Sequence, residues 1–175
     1  RDEKKWQLGW LTRVRSITQD DGHLFCRIWQ LQQEVWTIVE IIKTFYQRVW
    51  ILDSYWVSLS DRDDNAQNYL WDDDVREKAE KALEDAAIKY QLNYKIIKWE
   101  AAFYWPKLDF IFKDSLLRER QLATIQCDFN LPERFDLSYT NEAWQKERPV
   151  VLHRAISWSL ERFIGIMIEH FDWAF

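Results

Sequence analysis

Apolar and polar positions along the chain alternate in short runs, interrupted by stretches of helical spacing. Residues 11–17, Leu-Thr-Arg-Val-Arg-Ser-Ile, alternate with period two and predict a half-buried strand. Residues 22–27, Gly-His-Leu-Phe-Cys-Arg, predict a second. Over residues 30–48, Leu31, Val35, Ile38, Val39, Ile42, Phe45 and Tyr46 recur at helical intervals and form one apolar face. A strand is predicted at 54–60, then an acidic, irregular stretch from Asp61 to Asp74. Residues 73–90 give the clearest helix. Asp residues open it, Lys89 stands near its end, and Val75, Ala79, Ala82, Leu83, Ala86 and Tyr90 line its inner face. Strands follow at 94–98, 108–113 and 120–129, with Leu108, Phe110 and Phe112 on one face and Asp109, Ile111 and Lys113 opposite. A loop-rich piece between Pro132 and Pro149 holds a short strand at 137–140. A buried strand at 150–156 and an apolar helix at 158–171, with Ser157 as its N-cap, complete the pattern. Helices and strands do not alternate regularly, so the expected fold is α+β: a mostly antiparallel sheet flanked by helices, in one domain over residues 1–175.

Composition narrows the functional classes. Lys plus Arg is 24 against 29 for Asp plus Glu, a net charge of −5, which argues against nucleic-acid binding by bulk positive charge. Apolar residues make up 47%, enough to fill a core. No apolar run approaches the roughly 18 residues a membrane-crossing helix needs, and no apolar segment follows the charged start at Arg1–Lys5. With only Cys26 and Cys127, a disulfide framework is not expected. These features fit a cytoplasmic protein without a membrane partner. Glycine is scarce, at Gly9, Gly22 and Gly165, and tryptophan abundant, with 12 residues.

Several groups could carry chemistry. His23 and Cys26 make one His-x-x-Cys pair, but a structural zinc site needs four ligands, and odd spacing on a strand sends the side chains to opposite faces. His153 lies in the buried strand, where a lone histidine is more often a hydrogen-bonded core residue. His170 suits the C-terminal end of its helix. Asp61, Asp63, Asn65 and Asp72 resemble a calcium loop, but Ala66 stands at the turn glycine and Asp72 at the bidentate Glu, so a solvated acidic loop is the better reading. Arg1, Arg13, Arg15 and Arg162 offer forked donors for phosphate, with surface salt bridging as the plainer reading. The tryptophans could be stacking platforms or simple packing.

Longer segments add a resemblance. Arg1-Asp2-Glu3 resembles the Arg-Asn-Glu of motif 2 in threonyl-tRNA synthetases. Residues 11–15, 18–26, 102–110 and 123–135 resemble further segments of that family's catalytic core. Residues 149–156 and 159–165 resemble its motif 3, all in family order. The resemblance implies the class II aminoacyl-tRNA synthetase core fold and ATP-dependent activation of threonine, followed by transfer to tRNA(Thr). It implies that Arg1 binds the α-phosphate and that Arg1 and Arg162 are the catalytic arginines. Glu3 would contact adenine, Arg13 the outer phosphates of an ATP–Mg2+ substrate, and Gln121 also the nucleotide. Arg162 would stack on adenine. Gln19, Asp21 and Tyr104 would hold threonine, with Asp21 accepting its hydroxyl. Lys107, Thr124, Gln126 and Ser159 would line the pocket or the tRNA end. His23 and His153 would be zinc ligands, the family's third ligand being a cysteine upstream of motif 2, while Cys26 stays in the core. The family dimerises through motif 1, and neither motif 1 nor the editing and anticodon-binding regions match this chain.

The resemblance also locates a departure. Trp6, Trp10, Trp50, Trp71, Trp99, Trp105, Trp144, Trp158 and Trp173 stand where the family has glycine, as do Ala101 and Leu117. Glycine serves where φ is positive or a ligand approaches the backbone, and tryptophan is expected to do neither. Trp158 falls beside the expected adenine pocket, Trp105 adjoins Tyr104, and Trp6 and Trp10 fall in the loop expected to cover ATP. Two alternatives follow: an engineered or redesigned, catalytically inactive scaffold of the same fold, and an aromatic-rich module for RNA or carbohydrate.

Overall fold

The computed structural model describes residues 4–49, 55–61, 73–98 and 106–172. The elements are β1 (Gly22–Cys26), α1 (Leu31–Arg48), β2 (Tyr55–Asp61), α2 (Asp73–Lys89), β3 (Tyr94–Lys98), β4 (Lys107–Lys113), β5 (Glu119–Asp128), α3 (Asn130–Arg134), β6 (Tyr139–Thr140), β7 (Lys146–Glu147), β8 (Val150–Ala155) and α4 (Leu160–His170). A six-stranded sheet runs in the order β1-β8-β5-β4-β2-β3. Every neighbouring pair is antiparallel except β2 and β3, which α2 joins as a parallel crossover. The fold is the expected α+β arrangement, and β6 and β7 form a separate small hairpin.

Alternation gives the sheet two unlike faces. Leu24, Leu152, Cys127, Ile125, Leu108, Phe110, Val57 and Leu59 point to the face covered by helices. Against it α1 buries Leu31, Val35, Ile38, Val39, Ile42 and Tyr46, and α2 buries Ala79, Ala82, Leu83 and Ala86. The alanines let α2 lie close, and each large buried side chain stabilises the fold by about 1.5–3 kcal/mol. Tyr46 stacks on Phe112 with ring centroids 4.1 Å apart, and its hydroxyl donates to the carbonyl of Ile156, tying α1 to the segment between β8 and α4. Cys26 and Cys127 are buried, and desolvation pushes the Cys26 thiol up to about 11 and Cys127 higher still. Both are packing residues, as expected of Cys26.

Two expectations are corrected. Residues 11–17 form no strand. Trp10–Thr12 is a 3-10 turn, and Gly9 and Arg13 exchange backbone hydrogen bonds at 3.0 Å, so the chain pairs with itself instead of with the sheet. The last helix begins at Leu160 and is capped by Ser159, not Ser157. Asp20 accepts from the N–H groups of Ile156 and Ser157, which holds that stretch outside the helix. The short elements α3 and β7 were not anticipated, and most of the calcium-like run, residues 62–72, lies outside the described residues.

Among the described residues, three of the positions where the resemblance expects glycine are left-handed. Trp10 has φ 40°, Leu117 60° and Trp144 61°. Tryptophan therefore does take the glycine conformation here, at the roughly 1–2 kcal/mol that a Cβ costs in that region. Trp144 is 89% exposed, so packing returns little of that cost.

Candidate active site on the polar face of the sheet

The face away from α1 and α2 is polar. Strand register places His23, His153, Gln126, Lys107 and Ser60 side by side across β1, β8, β5, β4 and β2. The next row carries Thr124, Asp109 and Ser58. Period two in each strand builds this surface from the same residues whose neighbours build the core.

Asp109 organises the centre. It is 4% exposed, and its Oδ1 accepts from the Thr124 hydroxyl at 2.6 Å and from the Gln121 amide at 2.7 Å, while Lys107 pairs with its Oδ2. Gln121 and Thr124 are an odd number of residues apart, so simple alternation would separate them. A bulge in the β4–β5 pairing, between Phe110 and Ile111, absorbs Leu122 and returns both side chains to Asp109.

A second cluster lies at the β1 end. The His23 and His153 rings meet edge to face, 4.5 Å between centroids and 77° between planes. Asp21 Oδ2 is 3.9 Å from His23 Nε2, and donor atoms of Asp21, His23 and His153 all lie within 4.8 Å of one another. Two imidazoles and a carboxylate are donor types that zinc accepts, so these residues fit the metal that the resemblance implies. His153 Nε2 lies 2.6 Å from Oδ2 of Asp128, which is buried. His153 is thus hydrogen-bonded, as its strand position suggests, and also adjacent to His23.

A third group gathers at the start of α4. Ser159, buried, accepts from the Arg162 N–H at 3.3 Å and donates to Glu161 at 3.2 Å. Arg162 donates from Nε to the Thr12 carbonyl at 3.2 Å and from Nη1 to the Gln121 carbonyl at 3.4 Å, and its guanidinium carbon lies 5.2 Å from the Trp158 ring centroid. The 9–13 turn thus rests on α4. Gly165 permits this: a Cβ there would come within 3.0 Å of Leu11. Glu161 receives the backbone N–H and the hydroxyl of Thr18, which, with the N–H bond foremost, holds its carboxyl below the usual range. Asp20 binds Arg154 Nη1 at 2.9 Å as well as the two backbone N–H groups, which ties the end of β8 to the segment ahead of α4.

The structure therefore brings Asp21, His23 and His153 together, gathers Lys107, Gln121 and Thr124 on Asp109, and links Ser159 to Arg162. Gln126 stands in the central row, half-buried. Gln19 and Arg13 are exposed beside these groups in sequence. Arg1, Glu3 and Tyr104 lie outside the described residues, as do Trp50, Trp71, Trp99, Trp105 and Trp173. Sequence reasoning missed Asp20, Asp109 and Asp128 as site residues. For Asp109 the available signal was a carboxylate among the apolar residues of β4; Asp128, at the end of the mixed strand β5, offered a weaker one. Among the described residues, no helix is long and apolar enough to cross a membrane.

Comparison with known proteins accords with this arrangement. Residues 1–171 match the family model described as tRNA synthetase class II core domain (G, H, P, S and T). The threonine–tRNA ligase of Synechococcus elongatus is 50% identical over 171 residues, covering 98% of this chain and 28% of the relative. That of Thermus thermophilus is 45% identical and also covers 98% of this chain, but 26% of the relative. The chain thus spans little more than a quarter of these relatives' length. A threonyl-tRNA synthetase structure from Cryptosporidium parvum, titled as its RNA binding domain, superposes with a TM-score of 0.86 at 36% identity over 98% of this chain and 42% of that one. A putative threonyl-tRNA synthetase from Aeropyrum pernix gives 0.81 at 36% identity, over 96% of this chain and 39% of that one. Neither the inactive-scaffold alternative nor the tryptophan-platform module gains support from these relatives. A polar sheet face ordered by Asp109, a histidine pair at its edge and a family match over residues 1–171 lead to one assignment: the chain belongs to the class II tRNA synthetase core family, among threonyl-tRNA synthetases.

Proposed function

We propose that this polar face is the adenylation site of a threonine–tRNA ligase core. The reaction joins the threonine carboxylate to the α-phosphorus of ATP and expels pyrophosphate; a ribose hydroxyl at the 3′ end of tRNA(Thr) then takes the threonyl group from the adenylate, breaking the anhydride bond and releasing AMP. The observation that supports it most is the single polar row from His23 to Lys107, with Asp109 behind it and Arg162 at its margin.

Each residue has a task in this reading. Arg1 and Arg162 offset charge that builds on the α-phosphate as the new bond forms. Glu3 and Gln121 bind the nucleotide, and Arg13 holds the outer phosphates of ATP–Mg2+. Gln19, Asp21 and Tyr104 orient threonine so that its carboxylate, and not its hydroxyl, faces phosphorus. Lys107, Thr124, Gln126 and Ser159 line the amino-acid pocket and the place of the tRNA end. His23 and His153 would hold zinc, with Asp21 beside them; when bound, zinc supplies a Lewis-acid contact to the substrate's amine and hydroxyl. Rejecting valine then follows from the unsatisfied polar groups it would leave behind. The pairing of catalytic cores through motif 1 belongs to the longer family members and is part of this proposal only for them.

Calorimetry with ATP–Mg2+ tests the reading. Binding by the chain that is lost in Arg162→Ala, with the thermal melt unchanged, is expected. Equal heats from both proteins would contradict the role given to Arg162.

A further inference from the structure

Two strands meet at His153. On the β1 side it faces His23 in direct register. On the β5 side it meets Asp128, which stands diagonally across from it, opposite Val151. Asp128 is 1% exposed and held at both oxygens: Oδ1 accepts the Leu131 N–H at 2.8 Å, at the start of α3, and Oδ2 lies 2.6 Å from His153 Nε2. A carboxylate oxygen fixed by a backbone bond has little freedom to follow the ring. The ring must instead settle on the carboxylate.

We infer that Asp128 is the positioning residue of the histidine pair: it holds His153 as the Nε2–H tautomer and sets the ring edge-on to His23. The chemistry is that of the acceptor. A carboxylate takes a proton-bearing nitrogen, so a neutral imidazole at this distance carries its hydrogen on Nε2 and its lone pair on Nδ1. Asp128 touches no substrate in this scheme; it acts through His153. The inference rests on the reading of His23 and His153 as a cation-binding pair for its consequence, which is tighter metal binding by a pre-oriented imidazole. The tautomer itself does not depend on that reading. Asp128 also couples the site to the fold, because the carboxylate that orients the ring caps the first turn of α3.

The test uses the chain labelled with nitrogen-15 at histidine, the His153 signals being identified by their loss in His153→Gln. In the unsubstituted chain at neutral pH, His153 should show the Nε2–H tautomer. Asp128→Asn keeps an oxygen for the Leu131 N–H but presents an amide donor to Nε2, so the tautomer should invert while the thermal melt stays close to that of the parent. Cobalt(II), added alone as an optical probe, should bind the parent about ten- to a hundredfold more tightly than Asp128→Asn. A parent His153 protonated on Nδ1 in the neutral ring, or a tautomer unchanged by Asp128→Asn, would overturn the inference. If Asp128→Asn does not fold, the parent spectrum decides alone. The two readings fail separately: a parent that takes no cobalt contradicts the cation-binding pair, whereas Nε2–H with inversion in Asp128→Asn still supports the positioning role.

Discussion

The guanidinium of Arg162 lies over the ring of Trp158, 5.2 Å from its centroid. In the proposed reading the same guanidinium stacks on adenine, so the ring would compete with the nucleotide for one cation face. Such a contact is worth about 0.5–1 kcal/mol when exposed and about 2 when desolvated. Trp158→Gly removes the competitor and is expected to tighten ATP–Mg2+ binding by roughly three- to thirtyfold, since about 1.4 kcal/mol is a factor of ten. Calorimetry of the two proteins checks this, and equal or weaker binding by Trp158→Gly would show that the ring does not obstruct the site.

Asp109 separates structural from charge effects. Asp109→Ala leaves the buried Thr124 hydroxyl and the Gln121 amide without their acceptor and should lower stability by about 2–3 kcal/mol. Asp109→Asn keeps one oxygen for both donors and loses mainly the pairing with Lys107, so a cost nearer 1 kcal/mol is expected. Urea denaturation of both variants gives the comparison, and similar losses would mean that Oδ1 is not the organising acceptor.

Trp144 tests the conformational cost of bulk at a glycine position. Its φ is 61° and its side chain is almost wholly exposed. Trp144→Gly relieves the left-handed strain, whereas Trp144→Ala removes the ring and keeps the Cβ. Gly is therefore expected to be the more stable of the two by about 1 kcal/mol, a difference of about 2–4 °C in Tm for a chain of this size. The opposite order would place the strain in the ring and not in the backbone.

Acid should loosen the contact between residue 18 and α4. The Thr18 N–H holds the folded Glu161 carboxyl below its ordinary range. A folded pKa lower than the unfolded one gives stability that is complete above the unfolded value and fades as pH falls through the folded value. Asp114 adds a second group of the same sign. Burial raises its pKa, but hydrogen bonds and charge from Arg118, with the Leu116 N–H, outweigh that and leave it lowered. Glu161→Gln should therefore flatten, without abolishing, the loss of stability between about pH 5 and pH 3. Denaturation midpoints across that range measure it, and an unchanged slope would remove Glu161 from the acid response.

Much of this architecture can be read in residue order, because alternation and helical spacing are strong where one face is buried. Leu108, Phe110 and Phe112 mark the core face of β4, and α1 declares itself from Leu31 to Tyr46. Legibility fails where backbone pairing, not burial, decides. Residues 11–17 alternate well enough for a strand, but Gly9 pairs with Arg13 and closes a turn. Two serines stand ahead of α4; Ser159 is the cap because it accepts the Arg162 N–H, while Asp20, distant in sequence, binds the N–H groups of residues 156 and 157. The site was legible chiefly through resemblance. His23 and His153 are far apart in sequence and meet only through the β1–β8 register, and Gln121 and Thr124 share a face only through a bulge that alternation does not announce. Asp109 and Asp128 carried a weaker signal, since Thr124 and Gln121 reach Asp109 from β5 and His153 reaches Asp128 from β8, pairings that sequence order does not announce.

The most direct test of the adenylation reading is threonine-dependent exchange of pyrophosphate into ATP, with zinc and Mg2+ present, comparing the chain with His153→Ala and replacing threonine with valine. Exchange that requires threonine, falls sharply with valine and is lost in His153→Ala is the expected result. No exchange above that of His153→Ala would contradict the assignment of this polar face as a working adenylation site.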